Sequence, residues 1–295
     1  MNIQISNFDE NIIERNGIGA GIIPISVNEE GKYCFLLAKE RYNPTWKGSN
    51  RWSGFEGGRK SFESINDNAL REYYEESLST IRTEGGNMGD IINSKKYNIK
   101  IVINMHQEKL QSRYHTTYLV WVPWQTKCIE EFDSIRKKLL NIQLCEEILT
   151  KLYTDINIFK INSESPIGLI HAVKSIERKE ENKMCTTYIV NDNNENVEKK
   201  VVSKIDEKAI MWQYMRKCTT FILKLFDHPA VVKKYDYCGI IYNVHVGEDY
   251  LEKEKMKWWD IDKIKTILKN GGNYENEQFK SFFMPVLKCI IDNIS

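Results

Sequence analysis

The stretch Gly57-Gly58-Arg59-Lys60-Ser61-Phe62-Glu63, followed after seven residues by Arg71-Glu72-Tyr73-Tyr74-Glu75-Glu76, decides how the chain is read. Apolar residues at Ile65, Ala69, Leu70 and Tyr73 recur with helical spacing, which predicts a helix from Phe62 to about Ile81. On that helix Glu72, Glu75 and Glu76 share one face within a single turn. Like charges so placed repel by roughly a few tenths of a kcal/mol per pair. A divalent cation removes the conflict, because carboxylate oxygens are the ligands that Mg²⁺ and Mn²⁺ prefer. The paired glycines ahead of the helix let backbone approach a ligand closely. Three glutamates alone are also compatible with a solvated acidic face. On the residues alone both readings stand, with the wider spacing from Gly57 to Glu76 still to be weighed.

That spacing resembles the Nudix box, G-x5-E-x7-R-E-U-x-E-E-x-G-U, through Gly57, Glu63, Arg71, Glu72, Glu75 and Glu76. Tyr73 stands where an aliphatic residue is usual, and Leu78 and Ser79 replace the closing glycine and aliphatic. The helix is therefore expected to run on to Ile81, which would take the apolar contact. The family usually writes Phe-Pro-Gly-Gly where this chain has Phe55-Glu56-Gly57-Gly58. The resemblance implies an α+β fold, a Nudix α/β/α sandwich with a mixed sheet. It also implies that Glu72, Glu75 and Glu76 bind Mg²⁺ or Mn²⁺, with Glu63 a supporting ligand or partner. Arg71 would orient Glu72 by a charged hydrogen bond. The metals would polarise a diphosphate and activate a water. A further glutamate outside the box often serves as base or ligand. Glu108, Glu248, Glu252 and Glu254 are the candidates, and Glu248, just after a strand in Val246-Gly247-Glu248, is preferred.

Outward from the box, Gly19–Ile25 and Lys32–Glu40 read as strands before it, and Ile99–Lys109 and Tyr114–Trp121 as strands after it. Thr83–Asn98 is polar and reads as a loop. Ile129–Leu152 and Ile205–Phe226 read as helices, with a polar linker or hairpin tip at 191–200. Strand-like runs return at Tyr237–Val246 and Met256–Trp259, and helices at Ile261–Leu268 and about Gln278–Ile294 close the chain. The Trp-bearing element Lys257-Trp258-Trp259-Asp260-Ile261 is similar to the late strand of Nudix domains, but comes far down the chain. The expected organisation is an N-terminal extension (1–17), a first core part (18–125) with the box at 57–79, a helix-rich insertion (126–236) and closing core elements (237–295). The closing strands should join the sheet of Ile22 and Phe35.

Segment 32–60 holds seven basic residues, including Lys47, Arg51, Arg59 and Lys60, against Glu40 and Glu56. Basic residues on the approach to an acidic metal site suit a polyphosphate or a nucleic-acid backbone. Trp46 and Trp52 in the same segment are candidates to stack a base. The substrate-binding set is thus Gly57, Gly58, Lys47, Arg51, Trp46 and Trp52. A large addition on a Nudix core is similar to the mRNA-decapping enzymes of large DNA viruses, which implies capped RNA as partner and release of 7-methyl-GDP. A small nucleoside diphosphate derivative, such as ADP-ribose or a dinucleoside polyphosphate, or a diphosphoinositol polyphosphate is the alternative. A non-catalytic Nudix-fold binding protein is a third reading. Such relatives usually lose box glutamates, and this chain keeps all four. His106 and His115 lie on strands flanking the expected cleft.

The whole chain of 295 residues carries 42 Lys+Arg against 41 Asp+Glu, so bulk charge marks neither a nucleic-acid nor a membrane binder. Its 41% hydrophobic content is that of a globular chain. No apolar run approaches the roughly 18–20 residues of a membrane span. Neither a basic n-region nor an apolar h-region opens the sequence. Seven scattered cysteines without a CxxC fit reduced thiols and a cytoplasmic protein, in the host cytoplasm if viral. The sequence does not specify an oligomeric state.

Overall fold

The computed structural model of the protein describes residues 3–5, 9–84, 86–94, 98–104, 113–154, 189–190, 196–197, 228–235 and 241–294. Along the chain run β1 (Ile3–Ile5), α1 (Glu10–Asn16), β2 (Gly17–Val27), β3 (Tyr33–Glu40), β4 (Trp52–Ser53) and β5 (Phe55–Gly58). There follow α2 (Ile65–Ser77), α3 (Met88–Ser94), β6 (Asn98–Asn104), β7 (Tyr114–Trp121) and α4 (Lys127–Thr154). Then come β8 (Ile189–Val190), β9 (Asn196–Val197), β10 (Val231–Tyr235), β11 (Ile241–Val246), a 3₁₀ turn (Glu248–Leu251) and β12 (Lys253–Asp260). The chain closes with α5 (Ile261–Lys269), β13 (Asn273–Tyr274), β14 (Glu277–Gln278) and α6 (Met284–Ile294). No helix among the described residues is long and apolar enough to cross a membrane.

Two compact units divide the chain: Met1–Arg136 with Glu248–Ser295, and Lys137–Gly247. The first is a mixed α+β structure on one eight-stranded sheet, ordered β1-β6-β7-β2-β3-β12, with β4 on β3 and β5 on β2. β2 and β7 run parallel, and the other pairings are antiparallel. Strand β2 holds this arrangement together. Its Gly19–Ile22 half pairs with β5 and its Ile25–Val27 half with β3, while β7 flanks most of its length.

Alternation along β2 sends Ile23 and Ile25 into a core with Phe35, Leu37, Trp52, Trp259, Phe279 and the buried faces of α5 and α6. On the other face α2 lies against β2 and β5, with Phe55 and Tyr73 edge to face at 6.0 Å. The result is a helix–sheet–helix sandwich. Trp259 is fully buried and meets Trp52, Phe279 and Tyr274 at ring distances of 5.2, 5.1 and 5.7 Å. Burial of each such side chain contributes about 1.5–3 kcal/mol.

The late Trp-bearing strand joins this sheet: β12 pairs with β3, Trp259 opposite Phe35. The run expected at 237–246 does not. Its described part, β11, pairs instead with β10 in a separate two-stranded sheet of the second unit, Val231 opposite Val246. A nearby antiparallel partner captures its backbone bonds locally. Of the expected hairpin tip at 191–200 only β9 is among the described residues, and it pairs with β8 just before that stretch, Val190 opposite Asn196. The helix read at Ile205–Phe226 lies outside the described residues. The insertion expected at 126–236 overlaps the second unit, whose bounds are Lys137 and Gly247.

Two local expectations are corrected. α2 stops at Ser77, because Leu78 and Ser79 take left-handed backbone conformations, φ 53° and 56°. Leu78 is buried, so packing holds it where glycine would sit freely. Thr80 then donates its backbone N–H and hydroxyl to the Ser77 carbonyl at 3.2 and 2.8 Å, and Ile81 is buried as expected. The polar stretch read as a loop over 83–98 contains α3, with an Asn87–Asp90 bond at its start. The N-terminal extension is also part of the sheet, since β1 pairs with β6.

Candidate active site

Ser64 caps α2: its hydroxyl oxygen accepts from Asp67 N–H at 3.0 Å, while its proton goes to the Asp67 carboxylate. Ile65, Asn68, Ala69, Glu72, Tyr73 and Glu76 form the buried face of the helix. Amphipathic packing thus carries two carboxylates, Glu72 and Glu76, inward. Burying them is costly unless they are paired and hydrogen-bonded.

Arg71 supplies much of that pairing. Its Nε and Nη2 hold the two oxygens of Glu63 at 2.6 and 3.2 Å, and Nη1 reaches Glu72 Oε1 at 2.8 Å and Glu75 Oε2 at 2.9 Å. Nη2 also donates to the Gly58 carbonyl at 3.0 Å. One guanidinium fork therefore gathers three box glutamates. The Arg71 hydrogen bond holds the Glu63 carboxyl below its ordinary range. Glu63 also accepts from Lys60 N–H at 2.9 Å, so both its oxygens are engaged and it serves as a partner to the arginine. Burial pushes Glu72 up to about 7, against the pull of Arg71. Glu72 Oε2 and Glu75 Oε1 lie off the arginine, with Lys60 Nζ 4.0 Å from the latter. As hard oxygen donors on one helical turn they fit Mg²⁺ or Mn²⁺.

Gly57 packs directly on this carboxylate: a β-carbon there would stand 2.4 Å from Glu72 Cδ. Gly58 has open space at the same point. The loop between them and α2 is tied down by Glu14 of α1. That residue accepts from Arg59 through its carbonyl and carboxylate at 2.5 and 2.6 Å, and its other oxygen accepts from Ile65 N–H at 3.2 Å. Arg59 is thereby committed to the scaffold. Lys60 is bound to Asp249 at 3.0 Å.

Glu76 faces a different set. Its Oε2 accepts from Glu56 N–H at 2.7 Å, and its Oε1 lies 3.0 Å from Lys253 Nζ. Lys253 also bonds Glu40 and reaches Ser53 Oγ at 3.3 Å, while Lys280 Nζ lies 2.5 Å from Glu40 Oε1. All of these side chains are buried. Burial opposes ionisation of Glu40, but the two ammonium groups overcome it and hold its carboxyl below the ordinary range. The Glu56 carboxylate is buried without a hydrogen-bond donor, and His115 Nε2 is 3.9 Å from it. Burial pushes the His115 imidazole down, against the pull of Glu56, and so favours its neutral form. One oxygen each of Glu40, Glu76 and Glu252 lies within 4.8 Å of the others, an arrangement that can hold a metal ion.

The remaining sequence candidates separate. Glu248 is an exposed residue opening the 3₁₀ turn, whereas Glu252 joins the acidic group and acts electrostatically on Glu72. Glu254 is a charged neighbour of Arg136. Glu108 and His106 lie outside the described residues. Trp46 is exposed and Lys47 with it, and Arg51 is half-buried. Trp52 is a correction: it is fully buried, its indole N–H bound to Glu277 at 2.8 Å, so it cannot stack a base. Sequence reading missed Glu14, Glu40, Lys253 and Lys280. Glu40 and Lys253 sit in strands dense with charge, and only their cross-strand pairing reveals them.

No protein-family profile matches the chain, and no curated protein matches it by sequence. Among solved structures, the chain is similar to a Nudix hydrolase from M. smegmatis, RenU, at 15% identity and TM-score 0.27, covering 37% of this chain and 63% of that one. A bifunctional NMN adenylyltransferase/ADP-ribose pyrophosphatase from Francisella tularensis gives 16% identity and TM-score 0.27, covering 38% and 29%. The C. elegans Ap4A hydrolase gives 17% and TM-score 0.23, covering 36% and 67%. The chain spans less than two thirds of the length of the first two. These are partial likenesses, and the chemistry rests on the residues of this chain.

Proposed function

We propose that this chain is a divalent-metal-dependent hydrolase of the Nudix type that opens a diphosphate linkage in a nucleotide, its substrate the 5′ cap of mRNA. The observation that carries the reaction class is the fork of Arg71 on Glu63, Glu72 and Glu75, with Gly57 pressed on Glu72. Glu72 and Glu75 are the residues that would hold Mg²⁺ or Mn²⁺. Such an ion supplies Lewis-acid polarisation of a phosphoryl oxygen and eases ionisation of water. Arg71 keeps both carboxylates in one orientation, and Glu63 keeps Arg71 in place. Water adds to phosphorus, the bond to the bridging oxygen breaks, and two phosphate-ended products leave.

Capped RNA is favoured by what surrounds the acids. The loop 41–51 is joined to them through Arg41 N–H and the Glu252 carbonyl at 2.7 Å, and it presents Arg41, Lys47 and Trp46 to solvent. A charged rim with an exposed ring suits a nucleic-acid backbone and a base. The test is a panel with Mg²⁺ or Mn²⁺: cap-labelled RNA, cap analogue, ADP-ribose, dinucleoside polyphosphates and diphosphoinositol phosphates. Release of labelled cap nucleotide, lost in E72Q, is expected. Turnover of a free nucleotide at enzyme levels that leave capped RNA intact would move the substrate to the small-molecule class, and no turnover of any of them removes the hydrolase reading.

A further inference from the structure

The acids Glu40, Glu76 and Glu252 have the spacing of a cation site, and part of that site is already filled by the chain itself. The Lys253 side chain is fully buried, and its ammonium has three N–H donors with three partners, Glu40, Glu76 Oε1 and Ser53 Oγ. Lys280 meets Glu40 from a second direction. A β-bulge puts Lys253 there. The β12–β3 register shifts between Lys253 and Lys255, so Glu40 and the adjacent Lys39 oppose them across one extra residue. Bulges of this kind re-aim side chains beside functional sites.

From this geometry we infer that Lys253 is a tethered cation occupying the Glu40–Glu76 subsite, so that a divalent ion is taken up only on the Glu72–Glu75 side. This rests on the reading that Glu72 and Glu75 hold such an ion. Both oxygens of Glu76 already accept, one from Glu56 N–H and one from Lys253. On this account Glu76 is committed to Glu56 N–H and Lys253, and its loss takes no ligand from the ion. Losing Lys253 leaves the buried Glu76 without a counter-charge and Glu40 with Lys280 alone, which lowers the cost of taking up a divalent cation there. Lys253 is a positioning residue on this account: it fixes Glu76 and Glu40 and touches no substrate.

The experiment is Mn²⁺ titration of the full chain followed by electron paramagnetic resonance, with thermal melting in parallel. Relative to wild type, E72Q should weaken Mn²⁺ binding at least tenfold and E76Q should change it by less than about threefold, against the 10–100-fold expected for loss of a ligand or its close support. The double variant E72Q/K253M should regain a Mn²⁺ site that E72Q lacks, and Mn²⁺ should raise its melting temperature. E76Q weakening Mn²⁺ as much as E72Q overturns the inference, as does E72Q/K253M gaining no site. Should the double variant not fold, the E76Q comparison decides alone. A wild type that binds no Mn²⁺ removes the Glu72–Glu75 reading, and the inference then stands or falls on whether K253M gains a site.

Discussion

Gly57 lies so close to Glu72 that a β-carbon at position 57 would stand 2.4 Å from the carboxylate carbon, nearer than any ordinary contact. Strand β5 therefore leaves room for this carboxylate because position 57 has no side chain. Gly57→Ala should displace Glu72 and weaken Mn²⁺ binding about tenfold or more, as loss of a close support does. Gly58→Ala, with open space at its β-carbon, should leave binding unchanged. Titration of both variants checks this, and equal behaviour would remove the role given to Gly57.

Glu72 is pushed up to about 7 by burial, and a divalent ion binds its ionised form. Raising pH through 7 ionises the group, so affinity should rise about tenfold per unit below pH 7 and level off above it. The sign follows from release of one proton on binding. In E72Q this slope should vanish. Affinity measured from pH 5.5 to 8 in both proteins tests it.

Trp46 and Trp259 should part company. Trp259→Ala removes a fully buried ring from the core and should cost about 3–5 kcal/mol. Trp46→Ala, at an exposed site, should stay within about 0.5 kcal/mol. If Trp46 stacks a base, its loss should instead weaken single-stranded RNA binding by about 1–3 kcal/mol. Denaturant unfolding and RNA titration separate the two effects.

Leu78 closes α2 in a left-handed conformation with its side chain buried. Leu78→Gly relieves backbone strain worth about 1–2 kcal/mol but removes a core side chain worth about 2–5 kcal/mol. Packing should win, so the variant should be destabilised despite matching the usual helix ending. A higher melting temperature for Leu78→Gly would show that backbone strain outweighs packing at this position.

Lys47 is exposed, whereas Arg59 is held by Glu14. Lys47→Ala should reduce the salt dependence of RNA binding by about one unit of slope, and Arg59→Ala should leave that slope unchanged while loosening the loop. Binding measured across a salt series distinguishes them.

The sequence by itself determined the helix that carries the glutamates, since the 3.6-residue period is a local property that needs no partner; the Ser64 cap, which starts the helix at Ile65 rather than Phe62, was not read from it. It also specified the strands flanking that helix and the late Trp-bearing strand, whose apolar content survives any reading of register. Which tryptophan is core and which is exposed was not legible. Trp46 and Trp52 stand six positions apart in similar surroundings, and only the return of β12 beside β3 buries one of them. Tertiary structure alone decided that Glu76 meets Lys253 and that Glu40 meets both Lys253 and Lys280, pairs drawn from strands and loops far apart in the chain. The physical reason is range. Periodicity and capping act within a few residues, whereas a buried charge is satisfied by whatever the sheet order places next to it, and that order is fixed only when the whole core packs.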